Sequence, residues 1–103
     1  MSSRRLDLTD AAEQDIRGIL RSTRSRWGDR RANAYERQLT DALEQLLRYP
    51  QLGRRADHFA SDLRVHTVGQ HVVFYRAIDR VVTVVRLLHV RMDAVSEFVG
   101  ETS

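Results

Sequence analysis

The sequence predicts an α+β fold: a short N-terminal strand, an antiparallel helical hairpin, then a three-stranded antiparallel meander with both helices packed on one sheet face. Three observations carry this expectation. Apolar residues recur at helical spacing between Asp10 and Tyr49. From Leu63 to Val90 the pattern changes to period two and to runs rich in β-branched residues. The later runs are joined by very short turns, which suit antiparallel neighbours.

Taken in order, Leu6 and Leu8 alternate with Arg5 and Asp7, the pattern of a short strand with one buried face. Thr9 and Asp10 then offer a helix N-cap. Ala12, Ile16, Ile19, Leu20, Thr23 and Trp27 form one stripe, and Glu13 and Arg17 lie one turn apart as a favourable pair. Gly28 stops this helix, and Asp29 is placed to cap the next. The second helix carries Ala32, Tyr35, Leu39, Ala42, Leu43 and Leu46 on one face, with Glu44 and Arg48 as a supporting pair. It ends at Tyr49-Pro50, because proline disfavours helix in the residue before it. The short Gly-Asp link makes the two helices antiparallel.

Residues 50 to 62 read as a polar connection. Leu63, Val65 and Thr67 then alternate with Arg64 and His66; Gly69-Gln70 turns the chain into His71–Arg76, and Asp79-Arg80 into Val81–Val90. Both helical stripes have the sheet to cover, so Trp27, Leu39, Leu43, Phe74 and Val84 are expected to share one core. No internal repeat or linker interrupts the 103 residues, which are expected to form a single domain over 1–103.

Composition narrows the function classes. With 42% hydrophobic and 30% charged residues the chain is globular in type, and with no cysteine it has neither disulfides nor thiolate metal sites. Arg76, Asp79, Arg80 and Arg86 break the apolar stretches well short of a membrane span, and Met1–Asp10 lacks the apolar segment of a signal peptide. A cytoplasmic protein without membrane contact is the expectation. All 17 basic residues are arginine, and the net charge is +3. Arginine forks suit carboxylates and phosphates, although codon usage in a GC-rich genome produces the same bias.

Four histidines, His58, His66, His71 and His89, are the obvious candidates for chemistry. None forms the close pair that metal sites use, so no metal and no other cofactor is expected. RNA cleavage needs a base, an acid and phosphate-binding cations. His71 and Tyr75 share one face of their strand, and Arg64 and His66 share a face of the preceding one, so Arg64, His66, His71 and Tyr75 are the nuclease candidates. Arg86 and His89 are three apart and point to opposite faces of a regular strand; they converge only if that strand bends. A helix-turn-helix reader of DNA fits poorly, because the second helix spends its apolar stripe on packing. No phosphate-binding glycine loop, dinucleotide fingerprint or nucleophile elbow is present.

Six segments, in order, carry a resemblance to a known family. Leu8-Thr9-Asp10-Ala11-Ala12-Glu13-Gln14-Asp15-Ile16 resembles the opening of ParE-type toxins of the ParE/RelE superfamily. Arg26-Trp27-Gly28, Ala42-Leu43-Glu44 and Tyr49-Pro50-Gln51-Leu52-Gly53-Arg54 recur there at similar spacing. So do Leu63-Arg64 with Val68–Arg76, and Val85–Asp93. The likeness spans residues 6 to about 94. It implies the toxin of a type II toxin–antitoxin system, with a RelE/ParE-like fold and DNA gyrase as the target, poisoned without catalysis. A ParD-like antitoxin is implied as partner, wrapping an acidic tail around the toxin in a hetero-oligomer. The alternative is a RelE-like, ribosome-dependent endonuclease acting on mRNA. RelE-type enzymes use lysine and arginine, often with a late tyrosine or histidine; this chain has no lysine and its last tyrosine is Tyr75. Arg86, His89, Arg91 and Met92, at the end of the final strand, are the expected target-binding residues.

Overall fold

The computed structural model describes residues 4–92. Strand β1 (Arg5–Leu8) leads into helix α1 (Asp10–Trp27). Thr9 caps that helix, its hydroxyl accepting the Ala12 N–H at 3.0 Å. Helix α2 (Asp29–Arg48) follows after Gly28 alone, and the chain then forms β2 (Arg54–Arg55), β3 (Leu63–Val68), β4 (His71–Ile78) and β5 (Val81–His89). Gly28 has φ of 91°, a left-handed region that a side chain disfavours. It serves as C-cap of one helix and N-cap of the next. Asp29 therefore lies inside α2 rather than capping it, and its carboxylate meets Arg24 at 2.9 Å.

The five strands form one sheet in the order β1-β5-β4-β3-β2. The expected meander is present as β3, β4 and β5, antiparallel throughout. β1 pairs parallel with β5, Leu6 opposite Val82 and Leu8 opposite Val84, because the whole helical hairpin intervenes as a crossover. The connection at 50–62 departs from the expected loop: Arg54 and Arg55 add a short edge strand against β3. Both are exposed and too few to show alternation, so the pattern carried no sign of a strand.

The sheet is buried on both faces. On one, Ala12, Leu39, Ala42, Leu43 and Leu46 of the helices meet Val68, Val73, Tyr75, Val82, Val84 and Leu87. On the other, Leu63, Val65, Phe74 and Leu88 are covered by Ala56, Phe59 and Ala60 of the connection. Phe74 thus lies in a second core, apart from Leu39, Leu43 and Val84. It follows Val73 in the strand, and successive residues face opposite sides. Trp27 is outside both cores and 62% exposed. Its side chain instead borders a surface cleft, together with Arg26, Arg31 and Gln70.

These positions differ in what they stabilise. Leu43 is 7% exposed, so Leu43→Ala is expected to cost about 2–5 kcal/mol in urea unfolding. Trp27→Ala is expected to cost well under half as much. Equal losses at the two positions would contradict this placement of the hairpin.

Candidate functional site

Beyond its pairing with β1, β5 has an open edge, and the first half of α1 closes it. Thr9 donates its hydroxyl proton to the Val85 carbonyl at 2.7 Å. Two turns on, the Asp15 carboxylate accepts the Leu87 backbone N–H at 3.0 Å. The same carboxylate takes a two-point grip from Arg86, at 2.7 Å from Nε and 3.1 Å from Nη2. Both side chains are 16% exposed, so solvent screens this pair far less than the surface pairs of the chain. Opposite it, the β4–β5 register slips between Phe74 and Tyr75, leaving Val85 as an extra residue. This bulge is the bend that the sequence required. Arg86 and His89, with Asp15, Met92 and His71, line a common notch beside α1.

The larger feature is a cleft of about 510 Å³ between the tip of the hairpin and the β3–β4 turn. Ile19, Ala34 and Trp27 supply apolar walls, while Arg26, Arg31, His71 and His89 supply the ionisable groups beside Tyr35. No carboxylate lines it among the described residues. The Arg31 guanidinium sits over the Trp27 ring, 5.2 Å from its centroid. Tyr35 is fixed from three directions. Its hydroxyl donates to the Val68 carbonyl at 2.9 Å and lies 2.7 Å from His71 Nδ1. Its ring lies so close to Gly69 that a Cβ there would stand 2.8 Å from it, and Gly69 has a φ of 57°. Burial pushes the Tyr35 phenol up, against a smaller opposing pull from the Gln70 backbone N–H.

His71 and His89 are paired residues on neighbouring strands, their rings 5.4 Å apart and nearly perpendicular. Burial, then the charge of His89, lowers the pKa of His71 below the ordinary 6.5. The imidazole is therefore neutral at pH 7.

The nuclease candidates are divided by this arrangement. Arg64 and Tyr75 are opposite each other, and His66 is opposite Val73, all on the helix-facing side. Tyr75 is fully buried; its hydroxyl donates to the Pro50 carbonyl and accepts the Gly53 N–H, each at 2.8 Å. Burial chiefly raises its pKa, with Gly53 and Arg64 opposing. Arg64 donates to the Gly53 carbonyl at 2.8 Å. Both thus hold the 50–53 segment onto the sheet, and His71 alone of the set lines the cleft. Of the target-binding candidates, Arg86 and His89 line the notch, Met92 lines its rim and is 48% exposed, and Arg91 is exposed. His58 packs against Phe59, with centroids 4.3 Å apart and the rings tilted by 40°. No group of three or more histidines and carboxylates suited to a metal exists among the described residues. Nor is any described helix long and apolar enough to cross a membrane.

Residues 6–94 match the family described as ParE toxin of the type II toxin–antitoxin system parDE. The chain belongs to the ParE toxin family. Toxin ParE1 of Mycobacterium tuberculosis is 38% identical over 94 residues, covering 90% of this chain and 95% of that protein. Toxin ParE1 of Caulobacter vibrioides is 33% identical over 87 residues, covering 84% and 90%. A solved structure titled as a chromosomal ParDE toxin–antitoxin system from P. aeruginosa has the same fold, with a TM-score of 0.74 at 16% identity. That match covers 85% of this chain and 97% of the other.

For a ParE toxin of this architecture, Asp15 is the residue that sequence reading passed over. It sits within the family-like opening segment, but its partners are 71 and 72 residues away. Removing one member of a screened-off, hydrogen-bonded pair leaves the other poorly solvated. Asp15→Ala is therefore expected to lower stability by about 2–3 kcal/mol in urea unfolding. A loss below about 0.5 kcal/mol, the range of an ordinary surface change, would contradict this role.

Proposed function

We propose that this ParE-family toxin inhibits DNA gyrase in the cytoplasm without catalysis, acting as a single domain, and is neutralised by a ParD-like antitoxin in a hetero-oligomer. Family membership over residues 6–94 is the observation that carries the reading. The antitoxin's tail, acidic and apolar, seats on the helical hairpin and the adjoining sheet edge. Support comes from the cleft there, with two arginines and two histidines around apolar walls and no carboxylate among the described residues that line it. The target is gripped by the far end of β5. Arg91 and Met92 are exposed there, and Arg86 and His89 stand behind them. Arginine and large apolar groups are the usual binding hot spots, and losing one commonly costs about 2 kcal/mol or more.

Induction in bacteria separates this reading from mRNA cleavage. Gyrase poisoning gives protein-linked DNA breaks and an SOS response before translation falls, and coexpressed antitoxin abolishes both. Translation arrest without DNA damage would favour the ribosome-dependent nuclease instead. The double variant Arg91→Ala with Met92→Ala is expected to lose toxicity at equal expression while keeping its fold and antitoxin binding. Full toxicity in that variant would remove the end of β5 from the target surface.

A further inference from the structure

Two contacts of the Tyr35 hydroxyl bear on the protons of the cleft. With its one proton donated to the Val68 carbonyl at 2.9 Å, the hydroxyl accepts at the 2.7 Å contact, and in that arrangement His71 Nδ1 carries the proton. Neutral His71 is thereby held with a lone pair on Nε2, for which no hydrogen-bond partner exists among the described residues. His89 is locked the opposite way. Its Nδ1 accepts the Arg91 backbone N–H at 3.1 Å, so its Nε2 carries a proton. Side by side stand one imidazole that offers a donor and one that offers a vacant base, both lining the cleft.

We propose that Tyr35, His71 and His89 make this cleft a proton-coupled receptor for a carboxylate on an acidic, apolar peptide. The carboxylate enters as a proton is taken up on His71 Nε2, which keeps its bond to Tyr35 and gains a second charge-assisted donor. Charge and shape choose the occupant. The groups that face His71 are Arg26 of α1, Arg31 and Tyr35 of α2, Gln70 of the turn and His89 of β5. On the notch side they are Asp15 and Arg86, which neutralise each other. An incoming carboxylate therefore meets cations and donors with no competing anion among the described residues that line the cleft, while Ile19, Ala34 and Trp27 accept the apolar residues beside it. In the empty cleft burial disfavours the imidazolium; the carboxylate reverses that preference. Affinity is then highest below the midpoint of the free His71 and falls as pH rises through the higher midpoint of the complex. The receptor stands on its own geometry and relies on the antitoxin reading only for the natural source of the peptide.

The test uses the full chain and three probes: acetyl-Leu-Glu-Leu-amide, its isostere acetyl-Leu-Gln-Leu-amide, and dimethyl phosphate as a phosphodiester mimic. The pH midpoint of the His71 imidazole resonance is followed by NMR from pH 5 to 8 with each probe at matched ionic strength. The glutamate peptide is expected to raise that midpoint by about one pH unit. Its affinity should be about tenfold higher at the acid end than at the alkaline end. The glutamine peptide should bind without a pH dependence, and His71→Gln should remove the dependence for the glutamate peptide. An unchanged midpoint, or an equal change with the glutamine peptide, would overturn the proposal. A midpoint moved by dimethyl phosphate and not by the glutamate peptide would also overturn it, in favour of a phosphate ligand. Neutralisation by antitoxin at a single pH would survive any of these failures, so the two readings stand or fall separately.

Discussion

Three hydrogen bonds to one carboxylate tie the two halves of the chain together. Asp15, in the second turn of α1, holds Arg86 twice and the Leu87 N–H once. Without it, β5 beyond β1 would present an unpaired backbone edge, the feature that sheets must cover or pair. The carboxylate satisfies the Leu87 N–H of that edge, Thr9 takes the Val85 carbonyl, and together they tie α1 to β5. The positions of α2, the cleft and the projecting end of β5 follow from that tie.

The bulge at Val85 complements this grip. By adding one residue opposite the Phe74–Tyr75 step, it lets Val84 and Leu87 both reach the helix-side core although they are three apart. Arg86 and His89 then line one notch. The hairpin reverses on Gly28 alone, and near its tip Trp27, Arg31 and Tyr35 wall a cleft that also takes in Gln70, His71 and His89. The core is stabilised by the first half of α1 and by Leu39 to Leu46 of α2, which leaves the tip available for binding.

Much of this was legible in the residues. The spacing of Ala12, Ile16 and Ile19, the Thr9 cap, the stripe from Leu39 to Leu46 and the turns at Gly69 and Asp79 express local physics, and the structure has them. The six ordered segments also identified the family. The rest depended on relations that local pattern does not encode. Trp27 keeps helical spacing with Ile16 and Ile19, but the stripe does not say which of its residues the sheet covers. Val72, Val73, Phe74 and Tyr75 are all apolar or aromatic, so alternation could not assign Phe74 to the second face. Arg54 and Arg55 form a strand because β3 offers them an edge. Tyr35 read as one more core residue, and its contact with His71 joins positions 36 apart in the sequence. The convergence of Arg86 and His89 was tied to a bend, but nothing in Val81–Val90 marks Val85 as its site.

The central proposal is that the cleft under the hairpin tip is the surface on which the antitoxin of this toxin seats. Deuterium exchange of the full chain, alone and bound to its antitoxin, tests it most directly. The account predicts slowed exchange over residues 19–35 and 68–71, with the 54–62 connection on the opposite sheet face unchanged. Protection confined to 54–62, with the hairpin tip exchanging as in the free chain, would contradict it.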